Sequence, residues 1–104
     1  MKAWYLTRHG DADSAFTLRD VAAPVPAPGQ VLIRSEGFGL NYADVMARKG
    51  LYREAPPPPC VIGYENVGRV EALGEGVPSE LLGKRVAAIT RFGGYAEMVA
   101  TDHR

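Results

Sequence analysis

Cysteine is almost absent from this sequence, and its scarcity excludes two classes of site. Cys60 is the single cysteine, so no intrachain disulfide and no zinc site made of several thiolates can form. Only two histidines are present, His9 and His103, and they stand near opposite ends of the chain without the spacing of metal ligands. The sequence therefore predicts a domain that binds no metal.

An excess of charge of either sign is also missing. The 12 basic residues balance the 12 acidic ones, so no net field draws nucleic acid or an anionic membrane to the chain. No apolar run reaches the roughly 18 residues of a membrane span, and the first ten residues lack the apolar core of a signal peptide. We expect a cytoplasmic protein, and 104 residues suffice for one domain.

Short strand patterns, separated by glycine and proline, occupy most of the chain. Strands are predicted at 2–7, 16–21, 31–38, 61–73, 84–90 and 95–100, with interruptions of the fourth near Gly63 and Gly68. Residues 22–30 contain three prolines and form an extended connector, because proline offers no N–H to a sheet. The pattern predicts a mostly β fold, a partly open β-barrel with one short helix.

The one predicted helix runs from Tyr42 to Arg48. Asn41 is a suitable N-cap, and Asp44, three residues later, can return a hydrogen bond to the Asn41 backbone. Arg48 and then Gly50 supply the cationic last turn and the glycine stop that end many helices. Pro56 to Pro59 must then form a stiff, exposed loop.

Six sequence pieces in register carry a family resemblance. They are GLNYAD (39–44), RKGLY (48–52), GYENVGRV (63–70), LGEGV (73–77), GKRV (83–86) and FGGYAE (92–97). Together they resemble the N-terminal, GroES-like domain of the medium-chain dehydrogenases/reductases, an alcohol dehydrogenase-like superfamily. Within it, the chain is most similar to the zinc-independent quinone oxidoreductases and their vesicle-protein relatives.

This resemblance implies a site and a reaction. It implies catalytic roles for Asn41 and Tyr52, and contacts of Asn41, Asp44 and Tyr64 with the nicotinamide cofactor. Zinc-dependent members carry a cysteine where this chain has Asn41 and a His-Glu pair where it has Tyr64-Glu65; amide and phenol oxygens are poor zinc ligands. The implied enzyme is zinc-free, uses NADPH or NADH, and reduces quinones or related conjugated carbonyls, whose product charge is delocalised.

The same residues also have structural explanations. Asn41 can be both a cap and a site residue. Asp44 can be a first-turn acid favoured by the helix dipole or, by resemblance, the acceptor for the Tyr64 hydroxyl. Tyr52 can anchor its loop or stack on a quinone ring. Glu65 is expected to pair with a nearby arginine.

Three further side chains are expected to be structural. No histidine is placed by sequence to activate Cys60, which is therefore interpreted as an inert packed thiol. Phe92 and Tyr95 are expected to fill the core.

A dinucleotide fingerprint is lacking. Gly74-Glu75-Gly76 begins like G-x-G-x-x-G, but Ser79 replaces the third glycine and Pro78 obstructs the required helix. We therefore expect the Rossmann domain to lie outside these 104 residues, and the chain to be a fragment that is inactive alone. Its exposed inter-domain face would then favour self-association or a homo-oligomer.

Two alternative functions remain open. The chain could be a non-catalytic binding module that presents the proline loop or an open sheet edge to a protein partner. It could also be a chaperonin cofactor, which would need a ring of subunits and a mobile apolar loop.

Overall fold

The elements below come from a computed structural model that describes residues 1–90 and 92–104. In chain order they are β1 (Lys2–Leu6), α1 (Ala12–Ala15), β2 (Phe16–Asp20), β3 (Gln30–Gly37), α2 (Tyr42–Arg48), β4 (Glu65–Leu73), a 3-10 turn (Ser79–Leu81), β5 (Arg85–Ile89) and β6 (Met98–Asp102). The predicted mostly β class is confirmed.

Two open antiparallel sheets form the fold. The larger sheet has the order β5-β4-β3-β6, and β1 pairs only with β2. Isolated bridges from Ala3 to Ala96 and from Leu6 to Cys60 attach β1 to the segments before β6 and β4. The sheets therefore meet without closing into a barrel, which matches the partly open arrangement expected from the sequence.

Two apolar clusters hold these elements together. The first cluster packs β1 and α2 against the segments that precede β4 and β6; its buried members are Leu6, Ala15, Ala47, Cys60, Ile62 and Tyr95. The second lies on one face of the larger sheet around Val31, Ile33 and Val70. Full burial of a side chain such as Leu6 or Ile62 stabilises the fold by about 1.5–3 kcal/mol, so α2 is fixed mainly by the first cluster.

The glycines of the fourth predicted strand have different roles. Gly63 lies before β4 with φ +114°, a conformation that side chains rarely adopt. Gly68 lies inside β4, where a Cβ atom would stand 2.0 Å from the carbonyl oxygen of Arg34. The strand is therefore interrupted near Gly63 as predicted, whereas Gly68 marks a close approach of two backbones inside a continuous strand.

Two element predictions need correction. One helix was predicted, but the structure has α1 and a 3-10 turn in addition to α2. The last strand begins at Met98 rather than Tyr95, since Tyr95 and Ala96 bond to segments outside the larger sheet. None of the helices in the described part of the chain has the length and apolar composition of a membrane span.

Candidate functional site

The helix cap at Asn41 is the first part of the site. Asn41 has extended backbone angles, φ −122° and ψ 156°, and forms a capping box with Asp44. The Asn41 N–H donates to Asp44 Oδ2 at 3.1 Å, and the Asp44 N–H donates to the Asn41 carbonyl at 3.0 Å. The cap and the α2 boundaries predicted from the sequence are confirmed.

The cap leaves two buried polar atoms without a hydrogen bond to any described residue. These atoms are Nδ2 of Asn41 and Oδ1 of Asp44. A buried donor or acceptor without a partner costs about 1–3 kcal/mol, and native proteins contain few of them. Asn41 Nδ2 can therefore donate to a ligand oxygen without giving up a bond inside the domain.

Tyr95 also contacts the cap, through the carboxylate of Asp44. Its hydroxyl donates to Asp44 Oδ2 at 2.9 Å, a buried contact between residues 51 positions apart. The predicted bond from Tyr64 to Asp44 is wrong, because the Tyr64 hydroxyl makes no hydrogen bond to this carboxylate and the phenol that does is Tyr95. Tyr95 does lie in the core, as predicted, but it also carries a polar contact that the sequence reading missed. The sequence feature that could have indicated close packing around Tyr95 is the glycine pair Gly93-Gly94 directly before it.

Three aromatic rings form the second part of the site. Tyr64 lies 5.4 Å from Phe92 and 6.1 Å from Tyr52, and Tyr52 lies 6.4 Å from Phe92, all between ring centroids and all tilted. The structure thus brings Tyr52 and Tyr64 together as expected. Phe92 is half-buried in this cluster, and Tyr52 also packs against the first apolar cluster.

The hydroxyl of Tyr64 is buried and makes no hydrogen bond of good geometry with a described residue, although the Tyr52 hydroxyl lies close enough to interact with it. Burial, followed by the neighbouring Tyr52 hydroxyl and the acids Glu54 and Asp44, raises the pKa of Tyr64 to about 12. Tyr64 therefore keeps its proton at neutral pH and can act as a donor.

Three hydrogen bonds hold the backbone of Gly63 and Tyr64 in place. Thr90 donates from its N–H to the Tyr64 carbonyl at 2.6 Å and from Oγ1 to the Gly63 carbonyl at 2.9 Å. The Gly94 N–H donates to the same Gly63 carbonyl at 3.2 Å. These bonds fix the direction in which the Tyr64 side chain leaves the chain.

From the sequence, Glu65 was expected to pair with an arginine and Cys60 to be an inert packed thiol. Glu65 is exposed, and no arginine within residues 1–90 and 92–104 forms an ion pair with it; its carboxylate lies over Gly39 instead. Cys60 is buried, burial raises the pKa of its thiol, and Sγ lies 3.5 Å from the Pro56 carbonyl. A buried, protonated thiol fits the inert role expected of Cys60.

Asn66 is a buried polar residue that the sequence reading did not select. Its side chain is almost fully inaccessible; Nδ2 donates to the Gly94 carbonyl at 2.9 Å, while Oδ1 has no partner among the described residues. The alternation of β4 could have revealed it, because positions 66, 68 and 70 all face inward.

Residues 1–90 and 92–104 contain no cluster of three or more His, Cys, Asp or Glu side chains that could hold a metal ion. The polar groups near Tyr64 and the α2 cap are an amide nitrogen, phenol hydroxyls and the carboxylates of Asp44 and Glu54.

Comparison with known proteins gives consistent similarities. The pattern of the family "Alcohol dehydrogenase GroES-like domain" matches residues 27–104. The human synaptic vesicle membrane protein VAT-1 homolog is 42% identical over 100 residues, which are 95% of this chain and 25% of that protein.

Two solved structures show that the similarity extends to the fold. The human VAT-1 homolog-like protein superposes with a TM-score of 0.92 at 37% identity, over 98% of this chain and 33% of that one. The quinone oxidoreductase of Thermus thermophilus, solved also as a complex with NADPH, gives a TM-score of 0.79 at 39% identity, over 98% and 30%. The chain thus spans about a quarter to a third of the length of these relatives.

Proposed function

This chain belongs to the alcohol dehydrogenase GroES-like domain family, and from that membership we propose that it is the substrate-side domain of a zinc-free oxidoreductase. The proposed enzyme uses NADPH or NADH and reduces quinones or related conjugated carbonyls. One observation carries the proposal: Asn41 Nδ2 and the Tyr64 hydroxyl are buried donors without a hydrogen bond of good geometry to any described residue, and both residues lie near the Asp44 carboxylate.

These two donors fit the oxygen-rich groups of a nicotinamide and a quinone. Asn41 Nδ2 can donate to the carboxamide oxygen of the cofactor or to a substrate oxygen, and the Tyr64 hydroxyl can donate to another. The bound reduced nicotinamide supplies the hydride. Because the pKa of Tyr64 is about 12, its hydroxyl donates a hydrogen bond at neutral pH without becoming a base.

The aromatic rings suit a flat substrate. Tyr52, Tyr64 and Phe92 lie within 6.4 Å of one another between centroids, and such rings stack favourably on a conjugated ring. Tyr52 can also donate its hydroxyl to a quinone oxygen. Preorganised donors in a water-poor site stabilise developing negative charge efficiently, and a quinone spreads that charge, so weak polarisation suffices in place of zinc.

We assign the rest of the cofactor site to a dinucleotide-binding domain outside these 104 residues. Two facts support this assignment: the chain covers only 25% of the VAT-1 homolog, and Gly74-Glu75-Gly76 forms a turn after β4 in place of a phosphate-binding loop and helix. This chain alone is then expected to bind NADPH too weakly to measure, because pyrophosphate contacts and a helix N-terminus lie elsewhere.

The proposal is tested with the full-length protein, purified without chelator. We expect NADPH oxidation with a small quinone, much slower turnover of a saturated ketone, and a zinc content far below one ion per chain. Dialysis against a chelator should leave the rate unchanged. Stoichiometric zinc, together with loss of quinone reduction on chelation, would overturn the zinc-free assignment.

A further inference from the structure

We propose that Tyr95 is a positioning residue that sets the geometry between the Asn41 amide and the Tyr64 hydroxyl. The inference rests on the proposed function, because those two donors need a fixed separation only if they meet a cofactor or substrate. Tyr95 is buried, and it lies between β5 and β6, far in sequence from both donors.

The hydroxyl of Tyr95 connects it to Asn41. It donates to Asp44 Oδ2 at 2.9 Å, and the same oxygen accepts the Asn41 N–H at 3.1 Å. One carboxylate oxygen therefore joins the phenol to the capping residue. Hydrogen bonds to a carboxylate are stronger than those between neutral groups, so the position of Asn41 depends on how Tyr95 holds Asp44.

The other side of Tyr95 is in contact with the residue that precedes Tyr64. A Cβ atom on Gly63 would stand 2.6 Å from Cδ1 of Tyr95 and 2.9 Å from its backbone nitrogen. The Tyr95 N–H also donates to the Ile62 carbonyl at 3.0 Å. Because Gly63 lies directly on Tyr95, the point from which the Tyr64 side chain departs is set by Tyr95 as well.

The ring of Tyr95 has little freedom to move. It stacks on Phe38 at 4.7 Å with an interplanar angle of 25°, and packs at 6.0 Å against Phe16. Burial, and then the hydrogen bond to Asp44, raises the pKa of Tyr95 far above its usual range. The residue is thus a rigid, protonated spacer between Asp44 and Gly63.

A core-filling role alone would make only the ring of Tyr95 important. A positioning role makes the hydroxyl important too, and Tyr95→Phe separates the two because it keeps the stacking on Phe38. Tyr42→Phe is the matched control, since it also removes one hydroxyl near Asn41, but from a side chain that is exposed.

The activity test uses the full-length protein and a small quinone. We expect Tyr95→Phe to lower kcat/KM by about 10- to 100-fold, as displacements of about 1 Å do in other sites, and Tyr42→Phe to leave it unchanged. In an Asn41→Ala background, Tyr95→Phe should cause less than about a twofold further loss, because it acts through Asn41. The proposal would be overturned if the losses caused by Asn41→Ala and Tyr95→Phe multiply in the double variant, or if Tyr95→Phe alone is fully active.

A second readout does not depend on turnover. In NMR spectra of this 104-residue chain, Tyr95→Phe should shift the Asn41 side-chain amide signals and speed their hydrogen exchange, whereas Tyr42→Phe should leave the exchange rate unaltered. Unmoved Asn41 signals would contradict the positioning role. If the full-length protein reduces no quinone while the signals do move, the proposed function fails and the coupling of Tyr95 to Asn41 stands.

Discussion

Unpaired polar atoms are the clearest residue-scale signature of this domain. Four buried side-chain atoms in the described part of the chain lack a partner, and they belong to Asn41, Asp44, Tyr64 and Asn66. The first three are residues that the sequence selected for the site. A domain shaped only for stability would pair or replace such atoms, so their presence at three residues selected for the site favours binding of a polar ligand.

Tyr64→Phe should separate stability from function. Removing a buried hydroxyl that has no described partner leaves the free energy of unfolding unchanged or raises it by about 1 kcal/mol. In the full-length protein, the same change should lower kcat/KM for a quinone by about 100-fold or more, as expected for the loss of a preorganised donor. Denaturant unfolding and steady-state kinetics measure the two effects; a destabilised variant with wild-type kinetics would contradict this account.

The Tyr64 hydroxyl also predicts a loss of stability at alkaline pH. Its pKa is about 12 in the folded protein against 10.0 for an ordinary tyrosine, so between these values the unfolded chain releases a proton that the folded chain retains. The contribution of Tyr64 to stability is therefore complete below pH 10 and declines as the pH rises toward 12.

Denaturant midpoints measured across this range check the linkage. The midpoint of Tyr64→Phe should decline less with rising pH than that of the wild type. The midpoint of Tyr42→Phe, which removes an exposed hydroxyl, should follow the wild-type curve. Identical declines for Tyr64→Phe and the wild type would show that this hydroxyl is not buried as described.

At the scale of elements, local signals were predictable and long-range contacts were not. Helix α2 has the predicted bounds because Asn41, Asp44 and Gly50 act within a few residues of it. The bond from Tyr95 to Asp44 spans 51 positions, and no local pattern specifies which phenol reaches that carboxylate. The sequence therefore predicted a phenol as the partner of Asp44 but named Tyr64 where the structure has Tyr95.

The boundaries of two other elements were missed for similar reasons. Helix α1 has only four residues and no side-chain cap bond, so it has no apolar periodicity to detect. Strand β6 begins at Met98 because Ala96 bridges Ala3 in the smaller sheet's strand β1. Which strand a segment joins depends on the assembled fold, and alternation alone does not reveal it.

The close pairing of β3 with β4 gives a test at this scale. Gly68→Ala would place a Cβ atom 2.0 Å from the Arg34 carbonyl oxygen, and because both partners are backbone, we expect a loss of about 3 kcal/mol or more. Gly37→Ala is the matched control in the same strand pair, since nothing lies within 4 Å of its Cβ position and the free energy of unfolding should stay unchanged or rise by about 0.5–1 kcal/mol. Equal denaturant midpoints for both variants would contradict the described register.

At the scale of the whole molecule, exposed apolar side chains mark the surface around the site. Leu40 and Leu51 flank α2 and are 78% and 65% exposed. The region around Asn41 thus matches the expected inter-domain face. Tyr95, Ala96 and Val99, by contrast, are buried and contribute nothing to that face.

This surface predicts weak self-association of the 104-residue chain. Sedimentation should show a mass that rises with concentration, with a dissociation constant of about 0.1–1 mM, or roughly 4–5.5 kcal/mol. The double change Leu40→Ser and Leu51→Ser should abolish the rise. Val25→Ser, at an equally exposed position in the proline-rich connector, should not. A strict monomer at high concentration would count against an uncovered domain face.

Asn41→Asp in the full-length protein tests most directly whether the Asn41 amide binds a ligand in addition to capping helix α2. Aspartate caps a helix as well as asparagine does but cannot donate from its carboxylate. We predict that Asn41→Asp folds with wild-type stability, yet loses about 2.7–4 kcal/mol of transition-state stabilisation in kcat/KM for a quinone, like Asn41→Ala. Full activity of Asn41→Asp would mean that Asn41 is only a cap and that the proposed site is wrong.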